Sequence, residues 1–294
     1  MQESTKGFLL ALFSYCVWGS FALFFYLLRD IPATETLSHR IVWSAVFVIA
    51  LISITGRWQA VRDALCDTAI VRNLFASSLL IAVNWVLYVW AVANERVIES
   101  SLGYFINPLV AVLLGMLVLK EDLSRTQLVA VILAAVGVVH ELIGVGQLPW
   151  IALVLAVTFA LYGLVRKKTP VDTVTGLLVE TCLLLPFALA WVLWLTWQGQ
   201  SNFAADQNGL LLVAAGIVTA LPLLAFSAAA QRLSLKVLGF MTYLAPSLQL
   251  LSAIFILKEP FSHSQLITFS FIWAGLFVFS FGTLKQLKKA KAAA

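Results

Sequence analysis

The chain has 294 residues, 62% of them hydrophobic and 11% charged, with a mean hydropathy of +0.98; soluble domains carry about 25% charged residues. That balance excludes a water-soluble globular protein. A net charge of +5 would point to an acidic partner in a soluble chain, but in a membrane protein the placement of basic residues matters more than their sum.

A bilayer core about 30 Å thick takes roughly 20 apolar residues per helix, and parsing on that length gives ten segments: 7–28, 36–54, 73–92, 100–119, 126–143, 149–165, 176–197, 209–230, 237–257 and 264–283. The first follows Lys6 as a signal peptide would. It is too long for one, and Trp18, Phe24, Phe25 and Tyr26 leave no small-residue cleavage site, so it is retained as a span. The second carries His39 and Arg40 about one turn in. The loop 55–72 then spaces Trp58, Val61 and Leu65 along one helical face, which reads as a short interfacial helix. The fourth segment holds Pro108 and the ninth Pro246, and the eighth holds Pro222; a proline inside a helix removes a backbone donor and crowds the preceding turn. The connections are short, which leaves no room for a soluble catalytic or binding domain between spans.

With the N-terminus inside, the cytoplasmic face collects Lys6, Arg57, Arg62, Arg72, Lys120, Arg125, Arg166, Lys167, Lys168, Arg232, Lys236, Lys285, Lys288, Lys289 and Lys291, against Arg29, Arg40, Arg96 and Lys258 on the other. This bias predicts an even number of spans with both termini cytoplasmic. Cys16, Cys66 and Cys182 stand far apart, without the spacing of a metal site or disulfide framework, and are read as packing residues.

The two halves of the chain repeat. Aligning Pro108 with Pro246 also pairs Leu113 with Leu251, Leu119 with Leu257, Lys120-Glu121 with Lys258-Glu259, Ser124 with Ser262, Gln127 with Gln265, Leu128 with Leu266 and Gly137 with Gly275. Trp18-Gly19 corresponds more weakly to Tyr162-Gly163. Five spans repeat, and because five is odd the second copy lies upside down relative to the first. The expected fold is therefore all-α, integral to the membrane, with ten transmembrane helices as two inverted five-helix repeats, residues 1–145 and 146–294, the second ending in a short basic cytoplasmic tail. Freed carbonyls at the prolines could face a water-filled cavity where the copies meet; the alternative is a structural kink inherited twice.

Charged and polar groups inside spans are candidate sites. Arg40 could pair a substrate carboxylate and His39 could couple to protons; alternatively Arg40 snorkels to the headgroups and His39 caps its helix. Glu180 is the one carboxylate placed clearly inside a span, fit for a proton or a substrate amine, or for a structural hydrogen bond. His140 and Glu141, near the outer end of the fifth segment, are expected to be solvated at the interface. Tyr15, Trp18, Asn84, Trp85, Tyr88, Tyr104, Asn107, Phe226, Tyr243 and Gln249 cluster near helix centres and are the expected lining of an apolar cavity with a few oriented polar groups. Trp90, Trp150, Trp191, Trp194 and Trp197 read as interfacial anchors.

The stretches "YCVWG" at 15–19, "LSHRIVWS" at 37–44, "NWVLYVWAV" at 84–92, "ESSLGYFINPL" at 99–109, "GLLVET" at 176–181, "GIVTALPLLAF" at 216–226 and "LGFMTYLAPSLQ" at 238–249 resemble the drug/metabolite transporter superfamily, specifically EamA-domain proteins of the RarD branch. The resemblance implies ten helices in two repeats, residence in a bacterial inner membrane, and secondary transport by alternating access. It names no substrate.

The expected activity is export of small amphipathic metabolites or amino-acid-like solutes. A flippase for lipids or lipid carriers could use the same architecture. A membrane-embedded enzyme is disfavoured, because the sequence holds no H-E-x-x-H, no G-x-S-x-G and no phosphate-cradling glycine loop. The expected partners are a small-molecule substrate and the lipid bilayer, with no nucleic acid, cofactor or metal. The residues do not decide whether two copies pair as a homodimer.

Overall fold

A computed structural model describes residues 3–119, 125–145, 148–230, 232 and 241–292. The described residues are helical apart from short connections. The helices are α1 (Glu3–Gly19), α2 (Phe21–Tyr26), α3 (Ala33–Thr55), α4 (Trp58–Cys66), α5 (Thr68–Ala93), α6 (Val97–Leu119), α7 (Arg125–Val145), α8 (Trp150–Lys168), α9 (Thr173–Trp197), α10 (Gln207–Ala230), α11 (Leu244–Leu251) and α12 (His263–Ala292). Six stretches are long and apolar enough to cross a membrane: Thr5–Tyr26, Ala33–Thr55, Thr68–Ala93, Val97–Val118, Thr173–Trp197 and Gln207–Phe226. Four shorter apolar helices, Leu128–Glu141, Trp150–Arg166, Leu244–Ile256 and His263–Phe279, fall on the remaining apolar segments of the sequence.

Helix starts follow capping chemistry. Asp67 accepts from the N–H groups of Ala69 and Ile70, and Asp172 from those of Val174 and Thr175, so both carboxylates satisfy first-turn donors. Asp172 lies between helices, where partial burial pulls its carboxyl up; hydrogen bonds from Thr175 and Val174 and the Arg57 guanidinium 3.7 Å away outweigh this and hold it below its usual range. After α11 the chain makes one π-helical turn, Ser252–Ile256, then a left-handed residue, Lys258 at φ 59°. That path turns Glu259 back onto α6, where its two carboxylate oxygens accept from the N–H groups of Val97 (2.7 Å) and Ile98 (2.9 Å). Burial pushes the Glu259 carboxyl up against the pull of those two donors. Lys120, Glu121 and Ser124, their counterparts in the first half, lie outside the described residues, as does the side chain of Gln127.

Pro108 and Pro222 sit inside α6 and α10. Pro246 instead occupies the first turn of α11, where a missing donor costs nothing; the interruption falls at Thr242–Tyr243. Pro222 and Pro246 are buried and Pro108 is half-buried.

The principal packings are α7 on α12, α6 on α8, α3 on both α9 and α10, α5 on α8, and α1 on α10 and α11; α5 on α9 and α6 on α11 are smaller. The α7–α12 seam is close because Gly137 and Gly275 face it. A β-carbon added at Gly137 would stand 3.0 Å from the Thr268 carbonyl oxygen, and one at Gly275 would stand 2.9 Å from that of Ala130. The largest core gathers α2, α5, α6, α8 and α12 around Phe25, Phe105, Leu109, Leu155 and Phe269.

Two expectations need correction. Cys16 and Cys66 lie on the surface and only Cys182 packs, against the α3–α9 core. Glu141 is buried rather than solvated at the interface, because Thr268 on α12 donates to it at 2.6 Å; His140 Nδ1 lies 3.2 Å from the same hydroxyl. The interfacial helix forms as α4, with Val61 turned inward and Trp58 and Leu65 outward. Trp90, Trp150, Trp191, Trp194 and Trp197 are all exposed, as anchoring requires.

Candidate functional site

Arg40 lies in the second turn of α3 and is only 2% exposed. Its Nε donates to Thr219 Oγ1 on α10 at 2.6 Å, and that hydroxyl donates in turn to the Ala215 carbonyl. The guanidinium carbon stands 4.1 Å from the ring centroid of Trp85, with Phe25 and Phe21 at 5.1 and 5.6 Å. Aromatic faces attract a desolvated cation, but they do not neutralise it. Among the described residues no carboxylate pairs with Arg40, and its Nη1 has no hydrogen-bond partner. The hydroxyls of Tyr88 and Tyr104 lie within electrostatic reach, and that of Tyr88 is buried without a partner. Snorkelling does not describe this arginine, since the residue is buried and so is its Nη1.

The other sequence-predicted residues divide into two groups. Asn84, fully buried, donates to the Leu155 carbonyl and to Thr158 Oγ1, both at 2.9 Å, and accepts from Tyr104. Asn107 donates to the Ala156 carbonyl at 3.0 Å. Both amides tie α5 and α6 to α8. A second aromatic group forms where α1, α10 and α11 meet: Tyr15, Trp18 and Phe226 have ring centroids 5.5 to 5.9 Å apart. Tyr15 bonds Thr242 at 3.0 Å, and Gln249 donates to the Trp18 carbonyl with its own Oε1 buried and unpartnered. Tyr243 packs on the main core at the break before α11.

His39 does not cap its helix. Its ring stacks on Phe203 at 4.8 Å, and neither ring nitrogen has a partner among the described residues. Sequence reasoning missed what brings Phe203 there. Glu35, fully buried one turn before His39, accepts from Ser201 Oγ and from both the backbone N and Nδ2 of Asn202, the last two at 2.7 Å. This carboxylate straps the α9–α10 connection across the start of α3.

Glu180 on α9 is 3% exposed. Ser77 on α5 donates to its Oε1 at 2.5 Å and Tyr162 on α8 to its Oε2 at 3.4 Å, while Arg166 Nε stands 3.7 Å away. The sequence places Arg166 with the basic residues of the cytoplasmic face. Its guanidinium lies directly over Gly176, where any β-carbon would collide with it. That glycine, four residues before Glu180, is the one sequence signal for the pairing.

The EamA-like transporter family model matches residues 5–140. An uncharacterized transporter of Pseudomonas aeruginosa is 47% identical over 97% of this chain and 96% of its own length. The uncharacterized transporter YojE of Bacillus subtilis is 43% identical over 99% and 98%, and the protein RarD of Escherichia coli 44% over 95% of each. A solved crystal structure superposes with a TM-score of 0.61 over 93% of this chain and 96% of its own at 19% identity, which bears on the fold alone. A multi-pass helical membrane chain with full-length relatives of this kind belongs to the EamA-like transporter family, in the RarD branch of the drug/metabolite transporters.

Proposed function

We propose that the protein is a secondary transporter that exports small amphipathic metabolites or amino-acid-like solutes across the bacterial inner membrane by alternating access, with both termini cytoplasmic. The observation that carries this reading is Arg40: a buried guanidinium with no counter-ion among the described residues, walled by aromatic rings, and bonded from α3 in the first half to Thr219 on α10 in the second. An uncompensated cation at such depth is costly unless an anion visits it. A carboxylate engaging Nη1, with an apolar body against Trp85, Phe21 and Phe25, fits that chemistry.

The ten-helix inverted repeat is part of the proposal, as is the division at residues 145 and 146. Packing supports it, because the helix pairings survive exchange of the halves. The seams α3–α9, α6–α11 and α7–α12 each join a helix to its counterpart. Likewise α6–α8 exchanges with α1–α11, α5–α8 with α1–α10, and α3–α10 with α5–α9. The glycine seam obeys the same rule, since Gly137 meets Thr268 and Gly275 meets Ala130, and both residue pairs are related by the offset that aligns the prolines.

The second reading, a flippase for lipids or lipid carriers, draws on an apolar groove of about 300 Å³ on the helix surface, lined by residues that include Leu37, Ile41, Leu184, Phe187 and Trp191. Both readings are tested by comparing extracellular metabolites and labelled-lipid flip between a deletion strain and strains expressing the parent or Arg40→Gln at equal membrane abundance. Solutes enriched by the parent and returned to the deletion level by Arg40→Gln are expected. Identical metabolite profiles with parent-dependent lipid flip would replace transport of small solutes by the flippase reading.

A further inference from the structure

Arg40 and Glu180 occupy corresponding places in the two halves. Arg40 lies seven residues beyond Ala33, the first of α3, and Glu180 seven beyond Thr173, the first of α9, so each sits about 10 Å into its helix but from opposite faces of the membrane in the inverted arrangement. Each is held by a hydroxyl on the equivalent neighbour, Arg40 by Thr219 on α10 and Glu180 by Ser77 on α5. The two buried charges thus form matched stations of opposite sign.

The match breaks at the counter-ion. Arg40 has none among the described residues, whereas Arg166 faces Glu180 from the last turn of α8. The contact is loose. At 3.7 Å it exceeds the 2.7–2.9 Å of a charge-assisted hydrogen bond, and Arg166 Nη1 is buried with no partner. A strut built to brace the α8–α9 hairpin would be expected to dock bidentately. Here the guanidinium fills the space over Gly176 and neutralises Glu180 without taking up either oxygen.

We propose that Arg166 is a charge-selectivity element: it occupies a cation-binding station built around Glu180, and by doing so bars cationic solutes from the pathway while Arg40 takes anionic ones. The inference rests on the reading of Arg40 given above. A buried carboxylate stripped of its partner is a strong attractor for a cation, so removing Arg166 opens the station to the ammonium head of an external amine.

Two probes share one aromatic scaffold that suits the Arg40 walls: hydrocinnamate carries a carboxylate and phenethylamine an ammonium. Binding to the purified full chain in nanodiscs is read by isothermal titration calorimetry. The parent binds hydrocinnamate and not phenethylamine. Arg166→Gln gains phenethylamine affinity at least tenfold with hydrocinnamate unchanged, and the double variant Arg166→Gln/Glu180→Gln loses that gain. A folded Arg166→Gln protein that binds phenethylamine no better than the parent overturns the proposal, as does a gain that persists in the double variant; a purely structural ion pair would alter stability without moving selectivity. If Arg166→Gln does not fold, Glu180→Gln decides, because it leaves Arg166, like Arg40, as a largely buried guanidinium without a carboxylate partner among the described residues. Two hydrocinnamate molecules per chain are then expected, and one refutes the idea. Arg40→Gln separates the two readings: unchanged hydrocinnamate binding there sinks the role of Arg40 while leaving the phenethylamine outcomes readable.

Discussion

Arg40 and Arg166 are alike in chemistry and opposite in legibility. Arg40 was visible in the sequence because a charge one turn into an apolar segment demands an account; the choice between headgroup and interior was not visible, since it depends on Thr219, 179 residues away. Arg166 was hidden by Lys167 and Lys168 beside it, which make it look like one more cytoplasmic charge. Only the hairpin between α8 and α9 brings it to Glu180. Glu35 was hidden for the same reason, its partners being Ser201 and Asn202 on a distant connection. At this scale Arg40→Lys keeps the charge but loses the planar fork that grips a carboxylate. It should raise the half-saturating solute concentration roughly tenfold, and Arg40→Gln roughly ten- to a hundredfold, the worth of a hydrogen bond to a charged group. Transport by proteoliposomes of matched protein content checks both, and equal values for parent and Arg40→Gln would remove the residue from recognition.

Among the elements, the apolar helices were legible because a bilayer sets a minimum length for a spanning helix: six of the expected segments fall on helices long and apolar enough to cross and four on shorter apolar helices, and the paired glycines were legible as an alignment. Their meaning was not. Gly137 and Gly275 matter because each abuts a carbonyl on the facing helix, which no single sequence position discloses. Gly275→Leu is expected to cost about 1–3 kcal/mol through overpacking and to lower the melting temperature in detergent, whereas Gly163→Ala, with nothing within 4 Å, should be neutral or slightly stabilising by helix propensity. Equal melting for both variants would contradict a close α7–α12 seam. Capping gives a second prediction. Asp172→Ala should cost about 1 kcal/mol. Because the Asp172 carboxyl is held below its ordinary value of 3.8, the folded chain binds that proton less tightly than the unfolded one. The contribution is therefore fully present above about pH 4 and fades as pH falls through the lowered pKa. Melting curves at pH 7 and pH 3 should show the Asp172→Ala penalty shrinking at the lower pH; a constant penalty would contradict an ionised cap.

For the whole molecule, the distribution of basic residues and of proline-bearing segments is the basis of the proposed orientation and repeat, whereas the membrane class and the family were readable from one chain because apolar composition and family-like stretches run along its whole length. What could not be read is the state the protein occupies: Arg40 is buried here, 2% exposed, and the ring of its neighbour His39 stacks on Phe203. Alternating access requires that this residue meet water from each face in turn. The most direct measurement replaces Cys16, Cys66 and Cys182 by serine, places a single cysteine at Thr219 beside the guanidinium, and applies a membrane-impermeant thiol reagent to oriented vesicles from one face or the other. Labelling from both faces, suppressed by transported solute, is the expected result, and a thiol that reacts from neither face, or from the same single face under every condition, would contradict the account.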